Sequence, residues 1–161
     1  MTRILVISDT HIPRVAHDMP QKIYDQIIAS DMVMHAGDFV EEVLLDKLIK
    51  LKDTRAVYGN MDSARIQARL KQKETILVEK VRIGMIHGYG APATIIETVA
   101  KECRGADVIV FGHSHAAVNV VKDGVLFFNP GSPTDNIFAK YNSYGILKID
   151  GKDVKGEIIK L

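Results

Sequence analysis

The sequence predicts an α/β protein in which two mixed β-sheets pack face to face with helices on their outer sides, a four-layer α-β-β-α sandwich. Three observations predict it. Short apolar runs alternate with amphipathic stretches over the first two-thirds of the chain, the pattern of βαβ units and a parallel sheet. After Gly112 the runs crowd together behind hairpin-type turns, which adds antiparallel strands. No internal repeat and no Pro-rich or Ser-rich linker divides residues 1–161, so one domain is expected.

The first strand is expected at Arg3 to Ser8, followed by strands at Met32 to Ala36, Ala56 to Tyr58, Arg82 to Ile86 and Val108 to Phe111. Their nearly continuous β-branched and apolar content marks strands buried on both faces. Two helices fall between the first three strands. One starts near Asp18, a residue type suited to an N-cap, with Pro20 soon after, and runs to Ile28. The other covers Val43 to Leu51, with Leu44, Leu48 and Leu51 on one face. A third helix follows Pro92, from Ala93 to about Cys103, with Gly105 placed to end it. The antiparallel strands are expected at Ala117 to Lys122, Val125 to Asn129, Tyr144 to Ile149 and Lys155 to Ile159. Asp123-Gly124 and Asp150-Gly151 supply the tight turns.

Composition narrows the function classes. The 21 Lys and Arg balance 20 Asp and Glu, so the chain lacks the basic stripe of a dedicated nucleic-acid binder. Cys103 is the only cysteine, which excludes an intrachain disulfide and a thiolate metal cluster and makes a reducing cytoplasm the expected compartment. The apolar start, Ile4 to Ile7, is too short for a signal-peptide core, and no run approaches membrane-spanning length.

Metal-binding residue types cluster at the ends of the predicted strands. The first run ends in Ser8-Asp9-Thr10-His11, the second in Gly37-Asp38 and the third in Gly59-Asn60. The fourth ends in His87-Gly88 and the fifth in Gly112-His113-Ser114-His115. Ligands of open α/β sheets bind beyond the carboxyl ends of the strands, so five segments deliver donors to one place. Taken alone, Asp9 and His11 fit a strand-end turn and Gly59-Asn60 fits a turn dipeptide. The complete set reverses those readings. Asp, His and Asn form a mixed nitrogen and oxygen donor set suited to manganese, iron, zinc, nickel or cobalt. Seven donors exceed the needs of one ion, and two ions about 3.5–4 Å apart can acidify a bridging water to a nucleophile.

Asp-x-His, Gly-Asp, Gly-Asn, His and Gly-His-x-His in this order resemble the calcineurin-like metallophosphoesterases, from Asp9 to about Ser132. The resemblance is closest to the small single-domain bacterial and archaeal phosphodiesterases, which share the Asn129-Pro130-Gly131-Ser132 turn. It implies the metallophosphoesterase sandwich fold and hydrolysis of a small-molecule phosphodiester by a hydroxide bridging two divalent ions, with Mn2+ preferred and Ni2+, Fe2+, Co2+ or Zn2+ as alternatives. It further implies that Asp9, His11, Asp38 and His115 hold one ion and that Asp38, Asn60, His87 and His113 hold the other. Asp38 would bridge, and Asp38, Asn60 and His87 are the expected catalytic residues. Self-association to a dimer or tetramer is a further implication, with no membrane partner. A scaffold of the same fold, working through protein binding as one retromer subunit does, is the alternative.

One departure from the family pattern bears on mechanism. Many members carry a histidine after the asparagine, placed to protonate the leaving oxygen, and this chain has Met61 there. Slow turnover of poor leaving groups and preference for aryl esters follow, because the neighbouring Asp62 is ionised at neutral pH unless perturbed. His35, inside the second strand, reads as a core histidine bonded to backbone, and His17 as a loop residue. Arg14 and Arg65 could each position a phosphate, but the solvated-surface reading is preferred for both. Cys103 reads as a packing residue.

Overall fold

The computed structural model describes residues 1–161. In chain order it contains β1 (Thr2–Ile7), α1 (Gln21–Ile28), β2 (Met32–His35), α2 (Glu42–Leu51), β3 (Thr54–Ala56), α3 (Ala64–Arg69), β4 (Lys73–Val78) and β5 (Val81–Ile86). A single 3-10 turn at Pro92–Thr94 then leads into α4 (Ile95–Glu102). It is followed by β6 (Val108–Val110), β7 (Val118–Lys122), β8 (Val125–Asn129), β9 (Ser143–Asp150) and β10 (Asp153–Lys160). No helix is long and apolar enough to cross a membrane.

Two five-stranded mixed sheets form, in the orders β10-β9-β1-β2-β3 and β4-β5-β6-β8-β7. In the first, β1, β2 and β3 are parallel and β9 and β10 extend the sheet antiparallel. In the second, β5, β6 and β8 are parallel, with β4 and β7 antiparallel at the edges.

Strand alternation explains why β1 reads as unbroken apolar sequence. Ile4 and Val6 point between the sheets, where they join Met34, Ile83, Val110 and Phe128 in the central core. Leu5 and Ile7 point the other way, under Ile23 and Ile27 of α1 and Leu44, Leu45 and Leu48 of α2. The outer face of the second sheet is covered by α4, whose Ile95 and Val99 pack with Ile109, Phe111 and Phe127. Both sheets are therefore sandwiched between apolar layers, as the sequence predicts.

Several boundaries differ from expectation for physical reasons. The segment 62–70, to which the sequence assigns neither helix nor strand, contains α3, which buries only Ile66 and is too short for a periodic signal. The strand β4 was not anticipated because it is an edge strand whose residues alternate between exposed Lys73, Thr75 and Leu77 and more buried neighbours. The third strand ends at Ala56, so Val57 and Tyr58 already belong to the turn that carries Asn60. Leu45 is buried on α2 in place of Leu51, which is half exposed. Asp18 does not cap α1; its carboxylate accepts from the Met19 N–H and pairs with Lys47 of α2 at 2.6 Å. The C-terminal strands split between the sheets, and β8 enters its sheet parallel to β6.

Candidate metal centre

The loops leaving the carboxyl ends of β1, β2, β3, β5 and β6 converge at one rim of the sandwich. Asp9, His11, Asp38 and His115 each place a donor atom within 4.8 Å of the others. His115 Nε2 lies 3.3 Å from Asp9 Oδ1 and 3.3 Å from His11 Nε2, while His11 Nε2 lies 3.6 Å from Asp38 Oδ2. His87 Nε2 approaches the same Asp38 oxygen at 3.3 Å. Beyond it, His113 faces His87 edge-on at 5.4 Å between ring centroids and meets Asn60 Oδ1 through Nδ1 at 3.1 Å. All seven donors singled out in the sequence are thus neighbours, with Asp38 between the two groups.

The backbone is held in an uncommon state to achieve this. Asp9, His11, Asp38, His113 and His115 have φ of 53°, 47°, 61°, 68° and 55°. The left-handed region costs L-residues about 1–2 kcal/mol each, so surrounding contacts must fix it. They do: Asp9 N–H donates to Gly37 O at 2.9 Å, His11 N–H to Asp38 O at 3.0 Å, and Gly112 N–H to His87 O at 3.0 Å. Ser132 Oγ donates to Asp9 O and Thr134 Oγ1 to Thr10 O, both at 2.7 Å. The Asn129 amide donates to Gly112 O, so the turn after β8 braces the first and fifth donor loops together.

Two glycines are required by space. A Cβ on Gly37, whose φ is +98°, would stand 2.8 Å from both Gly59 N and His87 Nδ1. One on Gly59 would strike the Asp38 carboxylate.

The donor set fits a cation, as the imidazole tautomers show. His87 Nδ1–H donates to Ala36 O at 2.7 Å, which leaves the lone pair on Nε2. That buried nitrogen has no hydrogen-bond partner and looks at a carboxylate oxygen. His115 Nδ1–H donates to Asp135 Oδ2 at 2.5 Å, which directs its Nε2 lone pair toward His11 Nε2 and Asp9. Lone pairs that face one another and carboxylates in a buried site require a proton or a metal ion between them.

Without an ion, protons take that role. Burial opposes charge on His87, yet the adjoining Asp38 and Asp9 carboxylates push its pKa up to about 9. Burial likewise opposes charge on His115, and Asp9 and Asp135 outweigh it, again to about 9. His11 goes the other way, lowered by burial with Asp38 and Asp9 only partly compensating. Burial acts to raise the pKa of Asp9, but the His115 hydrogen bond and the His87 charge bring it below the usual carboxylate value.

Asp62 is not placed as a proton donor. Its carboxylate accepts from Gly59 N–H at 2.7 Å, Val40 N–H at 2.7 Å and Asp38 N–H at 3.0 Å. Burial still pushes its pKa up. Its role is to tie the second and third donor loops, including β-branched Val40 at φ 84°.

His35 is a core residue, stacked on Phe39 at 3.5 Å. Its Nδ1 accepts from Gly37 N–H, so Nε2–H donates to Thr10 Oγ1 at 3.0 Å. Burial holds its pKa well below the ordinary histidine value. Cys103 packs against Gly84, and burial pushes its thiol up to about 11.

Arg14 is exposed, as the surface reading expects, and it also lines a cavity of about 470 Å³ above the donors together with Met61, Ile137 and Phe138. Arg65 is a surface residue paired with Glu42 at 3.9 Å, and His17 is exposed. Asp135, which anchors His115, was not found from sequence: it lies at no strand end, and nothing local marks it beyond its position three residues after Ser132.

Comparison with known proteins agrees with this geometry. Residues 2–152 match the model of the calcineurin-like phosphoesterase superfamily domain. A probable metallophosphoesterase of Methanothermobacter thermautotrophicus is 33% identical over 158 residues, covering 96% of this chain and 90% of the relative. The solution structure of a Thermotoga maritima protein superposes with a TM-score of 0.79 at 36% identity, covering all of both chains. Vps29 of Chaetomium thermophilum shares the fold, with a TM-score of 0.83 at 21% identity over 99% of this chain and 97% of that one.

Proposed function

We propose that this chain, which belongs to the calcineurin-like phosphoesterase superfamily, is a cytoplasmic phosphodiesterase with a dinuclear metal centre in a single domain spanning residues 1–161. One observation carries the reading: the buried, unpartnered Nε2 of His87 opposite Asp38, beside the tight cluster of Asp9, His11, Asp38 and His115. Asp9, His11, Asp38 and His115 would hold one ion, and Asp38, Asn60, His87 and His113 the other, with manganese the first candidate. When bound, the ions would polarise the phosphoryl oxygens and supply a hydroxide nucleophile near neutral pH.

The remaining work falls to the chain. Asp38 is held from one side by the Met61 N–H, which donates to its Oδ1 at 2.8 Å, leaving Oδ2 toward His11 and His87. Ala36 O and Asp135 hold the rings of His87 and His115 in the tautomers that present Nε2. Asn60 stands exposed at the mouth, where its amide can meet a phosphoryl oxygen. Arg14, on the wall of the cavity, supplies positive charge for the anionic ester.

Protonation of the leaving oxygen has no dedicated group. Met61 lines the cavity and Asp62 is committed to three backbone N–H groups. Esters with good leaving groups are the favoured substrates. The same observation favours the second reading, a weakly active scaffold that binds another protein.

Metal content and hydrolysis, measured on one preparation, test the proposal. After loading with manganese, nickel, iron, cobalt or zinc, two ions per chain and release of 4-nitrophenol from bis(4-nitrophenyl) phosphate are expected. Two bound ions without hydrolysis of any diester or monoester would sink the enzyme and leave the scaffold.

A further inference from the structure

Two cavities adjoin Asn60, the one residue that lines both. The larger, about 470 Å³, has His11, Asp38, His113 and His115 at its floor. Apart from Arg14, its outer wall is apolar: Ile137 and Phe138 are 78% and 77% exposed, and Val15 and Met61 stand in the same wall. Two large apolar side chains left bare beside a buried ionic cluster are unfavourable in water, and they make a binding wall for an apolar group.

The smaller cavity, about 310 Å³, is lined by His87. Apart from His87, its lining has no ionisable imidazole, ammonium, guanidinium or carboxylate. Tyr58, Tyr89, Gln67 and Gln72 give it aromatic rings and neutral amides. Tyr89 is turned away to Glu102 and the Gln67 amide nitrogen is bonded to Asp62 O, whereas Gln72 has no partner within the protein. A neutral, planar group rich in donors and acceptors fits such a lining, as a nucleobase does, and a charged one does not.

A phosphomonoester has one organic arm and a diester has two, so paired cavities meeting at the phosphate position suit a diester. We infer that the substrate is a mixed phosphodiester, with a neutral hydrogen-bonding arm such as a nucleoside in the Tyr58/Gln72 cavity and an apolar arm against Ile137 and Phe138. This rests on the phosphodiesterase reading above. It goes further in assigning a different chemistry to each arm.

Three esters separate the arms: thymidine 5′-(4-nitrophenyl) phosphate, methyl 4-nitrophenyl phosphate and bis(4-nitrophenyl) phosphate. On the metal-loaded protein, kcat/KM for the thymidine ester should exceed that for the methyl ester by about tenfold, the worth of one or two well-placed hydrogen bonds. Gln72→Ala combined with Tyr58→Phe should bring that ratio close to one. Phe138→Ser combined with Ile137→Ser should raise KM for the thymidine and methyl esters together, leaving their kcat/KM ratio in place.

Binding to metal-free protein, where no turnover occurs, is read separately from backbone amide shifts on titration with the thymidine ester. Shifts at Tyr58 and Gln72 and at Ile137 and Phe138 over one binding curve are expected. Shifts confined to one cavity, or equal wild-type kcat/KM for the thymidine and methyl esters, overturn the two-arm inference. If the loaded protein hydrolyses none of the three esters, the phosphodiesterase reading fails, while the amide shifts still decide whether both cavities take the diester.

Discussion

Asp135 Oδ2 accepts a hydrogen bond from His115 Nδ1–H at 2.5 Å, and the same carboxylate accepts the backbone N–H groups of Ile137, Phe138 and Ala139. One side chain thus orients a donor of the cluster and shapes the loop that carries the apolar wall. Asp135→Asn keeps an acceptor but loses the charge that stabilises the His115 N–H. It should weaken metal affinity by about tenfold to a hundredfold, measured by competition with a chelating dye. Unchanged affinity would show that His115 does not depend on Asp135.

Asp38→Asn and His113→Ala should each abolish diester hydrolysis while leaving the circular dichroism spectrum and the unfolding midpoint close to wild type. Asn60→Ala should lower occupancy to one ion per chain. Retention of most activity at saturating metal in either of the first two variants would remove the two-ion assignment.

Removal of the Asp62 carboxylate leaves three backbone N–H groups without their acceptor. Asp62→Ala should therefore lower the unfolding free energy by about 3 kcal/mol, since buried unsatisfied donors cost about 1–3 kcal/mol each and water recovers part of the loss. Urea denaturation measures it. A variant as stable as wild type but inactive would return Asp62 to the chemistry.

Met61→His places a titratable imidazole at the cavity wall. It should raise kcat for alkyl esters more than for aryl esters, flattening the dependence of rate on leaving-group pKa. A parallel change in both classes would mean that proton donation is not what the site lacks.

His35 gives the fold an acid-sensitive element with a definite sign. Its folded-state pKa lies well below the unfolded value of 6.5, so above pH 6.5 neither state holds the proton and the residue contributes no pH dependence. Below 6.5 the unfolded chain takes up the proton first. Stability should then fall with pH by up to about 1.4 kcal/mol per unit until the folded-state value is reached. In chelator, the stability difference between wild type and His35→Gln should shrink as pH drops from 7 to 5. A constant difference would contradict the assignment.

The legible parts of the molecule are those where one residue type answers to one physical demand. β1 and β6 are readable because a strand covered on both faces must be apolar throughout, and the donors follow because they stand at strand ends. β4 and α3 are not, since the edge strand exposes every other side chain and the six-residue helix buries only Ile66. Asp135 is invisible for a different reason: its partner His115 is 20 residues away, and their meeting depends on how the chain returns from β8 to β9. The left-handed φ values of Asp9 and His115 likewise come from tertiary hydrogen bonds, against local preference.

The rim has a division of charge that the core lacks. Asp9 and Asp38 follow strands of the first sheet, whereas His87 and His115, the two imidazoles whose pKa rises to about 9, follow strands of the second. Apolar packing between the sheets holds them together but tolerates sliding, because the hydrophobic effect has no direction. Without an ion, opposite charges buried at a single end do not tolerate it. The carboxylates of one layer therefore act as a key in the imidazoles of the other, setting the alignment of the two sheets at the very edge where a substrate would be received.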